Sequence, residues 1–193
     1  MIIIIDNYDS FVYNIYQIIR SISSKEIHIL RNDQADPEKI LKLDPEAIII
    51  SPGPGDPRKA EDIGYSRIVV EKFYKEKPIL GVCLGHQIIG LAMGATIRKA
   101  RKIYHGKTSR IRHFGGQLYR DLPEVFEAMR YHSYVIDNPP PTLVIDSISL
   151  DDNEIMGIHH TTYPLFGVQF HPESVGTQVG RKILGAFLDI ARR

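Results

Sequence analysis

The 193-residue sequence has one cysteine, Cys83. A single cysteine cannot form a disulfide within the chain, so a disulfide-stabilised scaffold is excluded and a reducing, cytoplasmic setting is expected. Long hydrophobic runs are also missing. The apolar start, residues 1–5, is far too short for a membrane-spanning helix and lacks the basic flank of a signal peptide. The sequence therefore predicts no membrane association and no export.

The chain as a whole has no excess of either charge, since 24 Lys and Arg residues oppose 23 Asp and Glu residues. This balance offers no general attraction to a phosphate backbone, so nucleic acid is not an expected partner. Acidic residues are nevertheless missing locally, between residues 77 and 120. Within that stretch residues 98–112 form a basic belt, which contains Arg98, Lys99, Arg101, Lys102, Lys107, Arg110 and Arg112.

The hydrophobic pattern predicts an α/β protein. In the first half, short β-branched runs alternate with amphipathic stretches, which is typical of parallel strands joined by crossover helices. After residue 95 the period changes to two, with turns at 115–116 and 151–153, which favours an antiparallel portion. We expect one domain over residues 1–193, with a mostly parallel mixed sheet flanked by helices. The predicted strands include 2–5, 26–30, 47–50 and 78–82, and the predicted helices include 11–22, 37–43, 66–74, 84–93 and 177–193, with Asp9 or Ser10 capping the first.

Cys83 lies at the centre of Gly81-Val-Cys-Leu-Gly85, where a predicted strand meets a predicted helix. Flanking glycines allow a sharp turn that presents the central side chain at the edge of the sheet. The backbone N–H groups that open the helix favour negative charge on the sulfur or on a bound oxyanion. This pattern predicts a nucleophilic cysteine, with the Leu84 N–H as an oxyanion donor.

His171 and Glu173 lie two residues apart in Gly167-Val-Gln-Phe-His-Pro-Glu-Ser174, which we expect to end a strand. In an extended chain such residues point to the same side, and Pro172 favours that conformation for His171. An imidazole beside a carboxylate supplies the base and the group that orients it, so Cys83, His171 and Glu173 form a candidate triad. A zinc deaminase signature would need a second cysteine pair that the chain lacks, and no metal site is predicted.

A stiff loop, Ser51-Pro-Gly-Pro-Gly-Asp-Pro57, follows the third predicted strand. It should lie at the carboxyl edge of the sheet, where open α/β folds bind ligands. Because Gly55 tolerates unusual torsions, its N–H can be aimed as a second oxyanion donor beside that of Leu84. The loop lacks the further glycine or Gly-Lys pair of a phosphate-binding fingerprint.

These segments together resemble the signature segments of the triad-type, or class I, glutamine amidotransferases, in the same order along the chain. The resemblance covers essentially the whole sequence. Three further segments are similar to the glutaminase components of anthranilate synthase and aminodeoxychorismate synthase: Asp6-Asn-Tyr-Asp-Ser-Phe11, His105-Gly-Lys-Thr108 and Arg130-Tyr-His-Ser133.

The resemblance implies roles for individual residues. Cys83 would be the nucleophile, His171 the general base and acid, and Glu173 the orienting carboxylate. The glutamine-binding residues would be Pro52, Gly53, Pro54, Gly55, Gln87, Ser133 and Tyr134, with leucine common in relatives at the last position. The residues that face a partner would be Tyr8, Asp9, Ser10, Tyr13, His105, Lys107 and Arg110.

The function that the resemblance implies is hydrolysis of L-glutamine through a γ-glutamyl thioester. The ammonia would pass to a separate chorismate-using synthase subunit in a hetero-oligomer, to make anthranilate. No cofactor is expected in this chain, whereas the partner would need Mg²⁺. The alternatives are the same role in aminodeoxychorismate synthesis, a thiol hydrolase of another γ-glutamyl substrate, and a catalytically silent regulatory subunit.

Overall fold

The computed structural model of the protein describes residues 1–192, whose strands form one nine-stranded mixed sheet. The strand order is β2-β1-β3-β4-β9-β8-β7-β5-β6. The strands are β1 (Ile2–Asp6), β2 (Ile27–Arg31), β3 (Ala47–Ile50), β4 (Ile79–Val82), β5 (Thr96–His113), β6 (Val125–Asp137), β7 (Leu143–Ser149), β8 (Ile155–His160) and β9 (Leu165–Val168). The helices are α1 (Val12–Ile22), α2 (Pro37–Leu43), α3 (Ala60–Ile63), α4 (Ser66–Phe73), α5 (Leu84–Ala92) and α6 (Gly180–Ala191), with a 3₁₀ turn at Gln117–Tyr119.

Strands β2, β1, β3, β4 and β9 are parallel, and helices cover both of their faces. On one face Ile4 and Ile49 pack in a cluster with Ile15 of α1 and Phe187 of α6. On the other face the alternate residues of the same strands pack in a second cluster with residues of α4 and α5. Burial on both faces explains why these strands are continuous apolar runs.

The second half of the chain extends the sheet with antiparallel strands. β8 pairs with β9, β7 with β8, β5 with β7, and β6 with β5. The long β5–β6 hairpin has register shifts between Lys99 and Tyr104 and again between His105 and Lys107. It also contacts α5, so part of β6 lies close to the carboxyl edge of the parallel strands.

The predicted fold class is confirmed, and the differences lie at element ends. The second strand is shifted by one residue, and the last helix begins at Gly180 rather than 177 because Thr177 makes other contacts, described below. The predicted cap of α1 is wrong. The helix begins at Val12 after Phe11, and no side chain caps it, because the Asp9 carboxylate accepts instead from the Phe11 N–H in the turn before the helix.

In the part of the chain that the structure describes, no helix is both long enough and apolar enough to cross a membrane.

The turn between β4 and α5 generates a stability prediction. A Cβ at Gly85 would lie 2.2 Å from the Ile50 carbonyl oxygen, so Gly85→Ala should lower the free energy of unfolding by about 2–3 kcal/mol. The matched control is Gly185→Ala inside α6, where the nearest atom to an added Cβ is 3.9 Å away. That change should raise the free energy of unfolding by about 0.5–1 kcal/mol. Urea unfolding measures both, and equal effects would contradict the account.

Candidate active site

The elbow between β4 and α5 consists of Cys83 alone, which lies between Val82 and Leu84 with φ 52° and ψ −102°. A non-glycine residue rarely adopts a positive φ, so the surroundings must impose it. Gly81 and Gly85 allow this: a Cβ at Gly81 would lie 2.4 Å from the Gly85 carbonyl. The two glycines bring strand and helix together and leave the sulfur at the carboxyl edge of the sheet.

Cys83 forms part of a cleft of about 450 Å³. Four regions of the chain line it: the loop before α1, the loop after β3, the start of α5, and the paired strands β5 and β6, with His171 completing the wall. The lining residues are Tyr8, Asp9, Ser10, Phe11, Pro52, Gly53, Pro54, Gly55, Cys83, Leu84, Gln87, Ile103, Tyr104, His105, Tyr131, His132, Ser133, Tyr134 and His171.

Two groups contact the sulfur of Cys83. The thiol lies 3.5 Å from the Tyr131 carbonyl oxygen, and the Gln169 side-chain amide lies 3.7 Å from the sulfur as a donor. Leu84 is the first residue of α5, so its N–H has no acceptor within the helix. Gly55 also lines the cleft, so both residues that are predicted to donate to an oxyanion border the same space as the sulfur.

His171 and Glu173 form a buried pair in which the Glu173 Oε1 lies 2.6 Å from His171 Nδ1. The predicted strand end is wrong, because β9 stops at Val168 and both residues lie in the turn that follows. Tertiary contacts hold this turn. The His171 N–H donates to the Met129 carbonyl at 2.9 Å, and the Thr177 hydroxyl donates to the His171 carbonyl at 2.7 Å.

The electrostatics of His171 favour a charged imidazole. Burial alone would lower its pKa, but the Cys83 thiolate and the Glu173 carboxylate outweigh burial and raise the pKa of His171 well above its usual value. Its Nε2 is buried and makes no hydrogen bond to any residue in the range 1–192. His171 and Cys83 both line the same cleft.

The other histidines fall into different environments. His86, next to the elbow, is buried under Gly167, and burial lowers its pKa to about 3, so it stays neutral. His28 pairs with Glu26, and His159 with Asp146, away from the cleft. Only His105 and His132 line the cleft with His171, as far as the described residues go.

The predicted glutamine-binding residues all line the cleft. The side-chain amide of Gln87 donates to the Tyr134 carbonyl at 2.8 Å and to Gln169 Oε1 at 3.1 Å. Both of its N–H groups are therefore used within the protein, and its own oxygen is the group left to accept from a ligand. The Tyr134 ring lies outside these contacts, 4.8 Å under the Arg58 guanidinium.

The predicted partner-facing residues divide into two groups. Tyr8, Asp9, Ser10 and His105 border the cleft, whereas Tyr13, Lys107 and Arg110 are exposed beyond it.

Part of the positive charge of the basic belt is paired with acidic side chains. Arg98 pairs with Glu154, and Arg112 with Glu124, so distant acids offset these two charges. No salt bridge to Lys107 or Arg110 is found among residues 1–192. Lys99, Arg101 and Lys102 also have no salt bridge in this range, so the remaining positive surface on the hairpin comprises all five of these exposed side chains.

Among residues 1–192 there is no group of three or more His, Cys, Asp or Glu side chains that could hold a metal ion.

Three residues near the catalytic groups were not predicted from the sequence, and two of them, Tyr131 and Gln169, contact these groups directly. The Tyr131 ring lies edge-on to the His171 ring at 5.1 Å, and its carbonyl contacts the Cys83 thiol. Gln169 bridges Gln87 and the sulfur, and His132 lies in the cleft wall. Each of the three lies in a motif named above. The alternation of side chains along a strand does not show which of the two faces of that strand lines a site.

Asp9 generates a prediction about pH. Burial and the nearby Glu173 carboxylate raise the pKa of Asp9 to about 6, against about 3.9 for an unfolded chain. Between these two pKa values the folded protein keeps the Asp9 proton and the unfolded chain has lost it. The free energy of unfolding therefore falls as pH rises from about 4 to about 6. Asp9→Asn keeps the acceptor for the Phe11 N–H and should raise Tm by about 2–4 °C at pH 7.5, after allowance for solvent screening.

At pH 4 the Asp9 carboxyl is protonated in the folded protein, so the variant and the parent should melt together. Thermal melts at the two pH values test this. A Tm difference that does not depend on pH would contradict the assigned carboxyl environment.

Comparison with known proteins agrees with this geometry. Residues 3–191 match the family model described as Glutamine amidotransferase class-I. The chain is 55% identical to anthranilate synthase component 2 of Saccharolobus solfataricus, with 97% of each chain covered. It is 44% identical to aminodeoxychorismate synthase component 2 of Serratia marcescens, with 98% of this chain and 100% of the relative covered.

A solved glutamine amidotransferase from Thermotoga maritima has the same fold, with a TM-score of 0.81 at 16% identity over 98% of this chain and 96% of that one. The family match spans nearly all of the sequence and includes each segment of the cleft. The chain belongs to the class I glutamine amidotransferases.

Proposed function

We propose that the protein hydrolyses L-glutamine through a γ-glutamyl thioester on Cys83 and delivers the ammonia to a separate chorismate-using synthase subunit that makes anthranilate. The observation that carries the proposal is one cleft lined both by the strained Cys83 elbow and by His171, whose Nδ1 is bonded to Glu173 and whose Nε2 has no partner among residues 1–192. The higher identity to an anthranilate synthase component 2 than to the aminodeoxychorismate relative supports the pathway.

The reaction begins with the Cys83 thiolate, which attacks the side-chain carboxamide carbon of glutamine. The carbonyl oxygen becomes an oxyanion, and the proposed donors are the N–H groups of Gly55 and Leu84, two residues that line the cleft. Preorganised donors of this kind are each worth about 3 kcal/mol of barrier. The charged imidazole of His171 attracts the negative charge of the attacking sulfur.

Collapse of the tetrahedral intermediate breaks the carbon–nitrogen bond. His171 donates its Nε2 proton to the departing amide nitrogen, which leaves as ammonia, and the glutamyl group remains on the sulfur. The now neutral imidazole then takes a proton from water, and the hydroxide attacks the thioester. Glutamate leaves, the thiolate returns, and Glu173 holds the ring in one orientation throughout because it bonds Nδ1.

The walls of the cleft supply the groups that recognise glutamine. The Gln87 side-chain oxygen can accept from the substrate carboxamide, because its own N–H groups are used internally. Ser133 is exposed in the same wall and offers its hydroxyl to the amino acid end of the substrate. Pro52, Gly53 and Pro54 line the same cleft.

The ammonia must pass to an acceptor without release. At neutral pH free ammonia is mostly protonated and is then not nucleophilic, so the proposal requires a partner that covers the cleft. The proposed docking surface of a hetero-oligomer consists of Tyr8 at the cleft, the exposed Tyr13 beyond it, and Lys107 and Arg110 on the hairpin. A reducing, cytoplasmic setting is part of the proposal because the Cys83 thiol must stay free.

The assignment of the nucleophile can be tested in the complex of this chain with its synthase partner. Cys83→Ala should reduce glutamine-dependent anthranilate synthesis by more than about 10³-fold, because no other group replaces the nucleophile. Synthesis from added ammonium salt, supplied with chorismate and Mg²⁺, should survive and serves as the control for assembly. Retained glutaminase activity in the variant would contradict the assignment.

The docking surface can be tested by charge reversal. The double variant Lys107→Glu, Arg110→Glu should weaken assembly by about tenfold or more, with a larger effect at low salt. The matched control is Lys39→Glu, Lys42→Glu on α2, whose side chains are also exposed and lie on a helix that does not line the cleft. Calorimetric titration with the synthase measures both, and unchanged binding in the hairpin variant would contradict the proposed surface.

The same glutaminase role in aminodeoxychorismate synthesis is the second candidate, favoured by the 44% identical relative. Purification of the chain from its own cells with the synthase bound, followed by product identification, separates the two.

A further inference from the structure

Arg130 of β6 is fully buried, and its guanidinium donates hydrogen bonds to side chains from several parts of the chain. Its guanidinium pairs with Asp152 at 2.9 Å and donates to the hydroxyls of Ser109 and Ser149, each at 3.0 Å. The Tyr104 ring lies 3.5 Å below the guanidinium carbon. One further donor, the Nε–H, points along the strand to His132 Nε2 at 3.0 Å.

This contact determines the tautomer of His132. Because arginine can only donate, Nε2 of the ring must accept, and a neutral ring then carries its proton on Nδ1. Burial and the adjacent Arg130 charge lower the pKa of His132 to about 3, so the ring is neutral at any working pH. The Nδ1–H donates to the Tyr134 carbonyl, with 3.0 Å between the two atoms.

The Tyr134 carbonyl also accepts from the Gln87 side chain at 2.8 Å. Two donors fill both lone pairs of this oxygen, one from α5 and one from β6. The carbonyl is therefore not available to bind a substrate, and its role is to fix the backbone of residues 133 and 134. The same contact fixes the Gln87 amide and so orients the oxygen that faces the cleft.

We propose that Arg130 and His132 are positioning residues that hold Gln87 and the 133–134 backbone in the geometry that binds glutamine. The inference rests on the proposed glutaminase function. Neither residue is assigned a step in bond making: Arg130 selects the His132 tautomer, and that tautomer supplies the donor to Tyr134. The expected defect is therefore in glutamine binding, with the chemistry at Cys83 preserved.

Two variants of His132 separate the two contacts of its ring. His132→Asn places an amide nitrogen where Nδ1 lies and keeps a donor for Tyr134. His132→Gln places an oxygen where Nε2 lies, so it keeps the acceptor for Arg130 and loses the donor for Tyr134. In the complex with the synthase, His132→Gln should raise KM for glutamine by about fivefold to tenfold with kcat within about twofold, while His132→Asn keeps KM near the parent value.

The tautomer is measured directly on the full-length chain by ¹⁵N NMR of the histidine rings. The parent should show one neutral His132 with the proton on Nδ1 from about pH 5 to pH 9. Arg130→Lys keeps a positive charge for Asp152 but has no Nε–H. It should therefore lose the single tautomer and raise KM as His132→Gln does.

Three results would overturn the inference. They are a His132 protonated on Nε2 in the parent, equal KM values for the Asn and Gln variants, and a loss of thermal stability in Arg130→Lys with KM and tautomer unchanged. A parent complex without glutaminase activity would instead overturn the proposed function and this inference with it.

Discussion

The site depends on the backbone conformation of Cys83. A positive φ at a non-glycine residue costs about 1–3 kcal/mol and persists only when the surroundings over-determine it. Here the surroundings are Gly81 and Gly85, which let the strand, the helix and the Ile50 carbonyl approach more closely than any side chain would allow. Packing of the parallel sheet against α5 thus fixes the sulfur in the lining of the cleft, and the other site groups are arranged around it.

Strand β6 brings the remaining groups to the sulfur. Its Met129 carbonyl accepts from the His171 N–H, its Tyr131 contacts both the thiol and the imidazole, and its Tyr134 carbonyl accepts from Gln87. These four contacts all come from residues 129–134 of one strand, which therefore joins the base, the nucleophile and the substrate wall. The antiparallel half of the sheet is therefore part of the active site, and the buried Arg130 cluster anchors it.

The sequence predicted the features that depend on local chemistry. Glycines around Cys83 and a His-Pro-Glu segment specify an elbow and a bonded acid–base pair from a few adjacent residues, and continuous apolar runs specify the parallel strands. Features set by distant contacts were not predictable. The turn that carries His171 is held by Met129 and Thr177, Arg98 is neutralised by Glu154, and His132 is bonded to the buried Arg130 and to the Tyr134 carbonyl.

The central claim is that Cys83 carries the glutamyl group during turnover. The most direct measurement is rapid acid quenching of the assembled enzyme with isotope-labelled glutamine, followed by mass spectrometry of its peptides. The account predicts labelled glutamyl thioester on the peptide that contains Cys83, with none in the Cys83→Ala variant. Label on another peptide, or turnover of glutamine with no covalent adduct at any quench time, would contradict it.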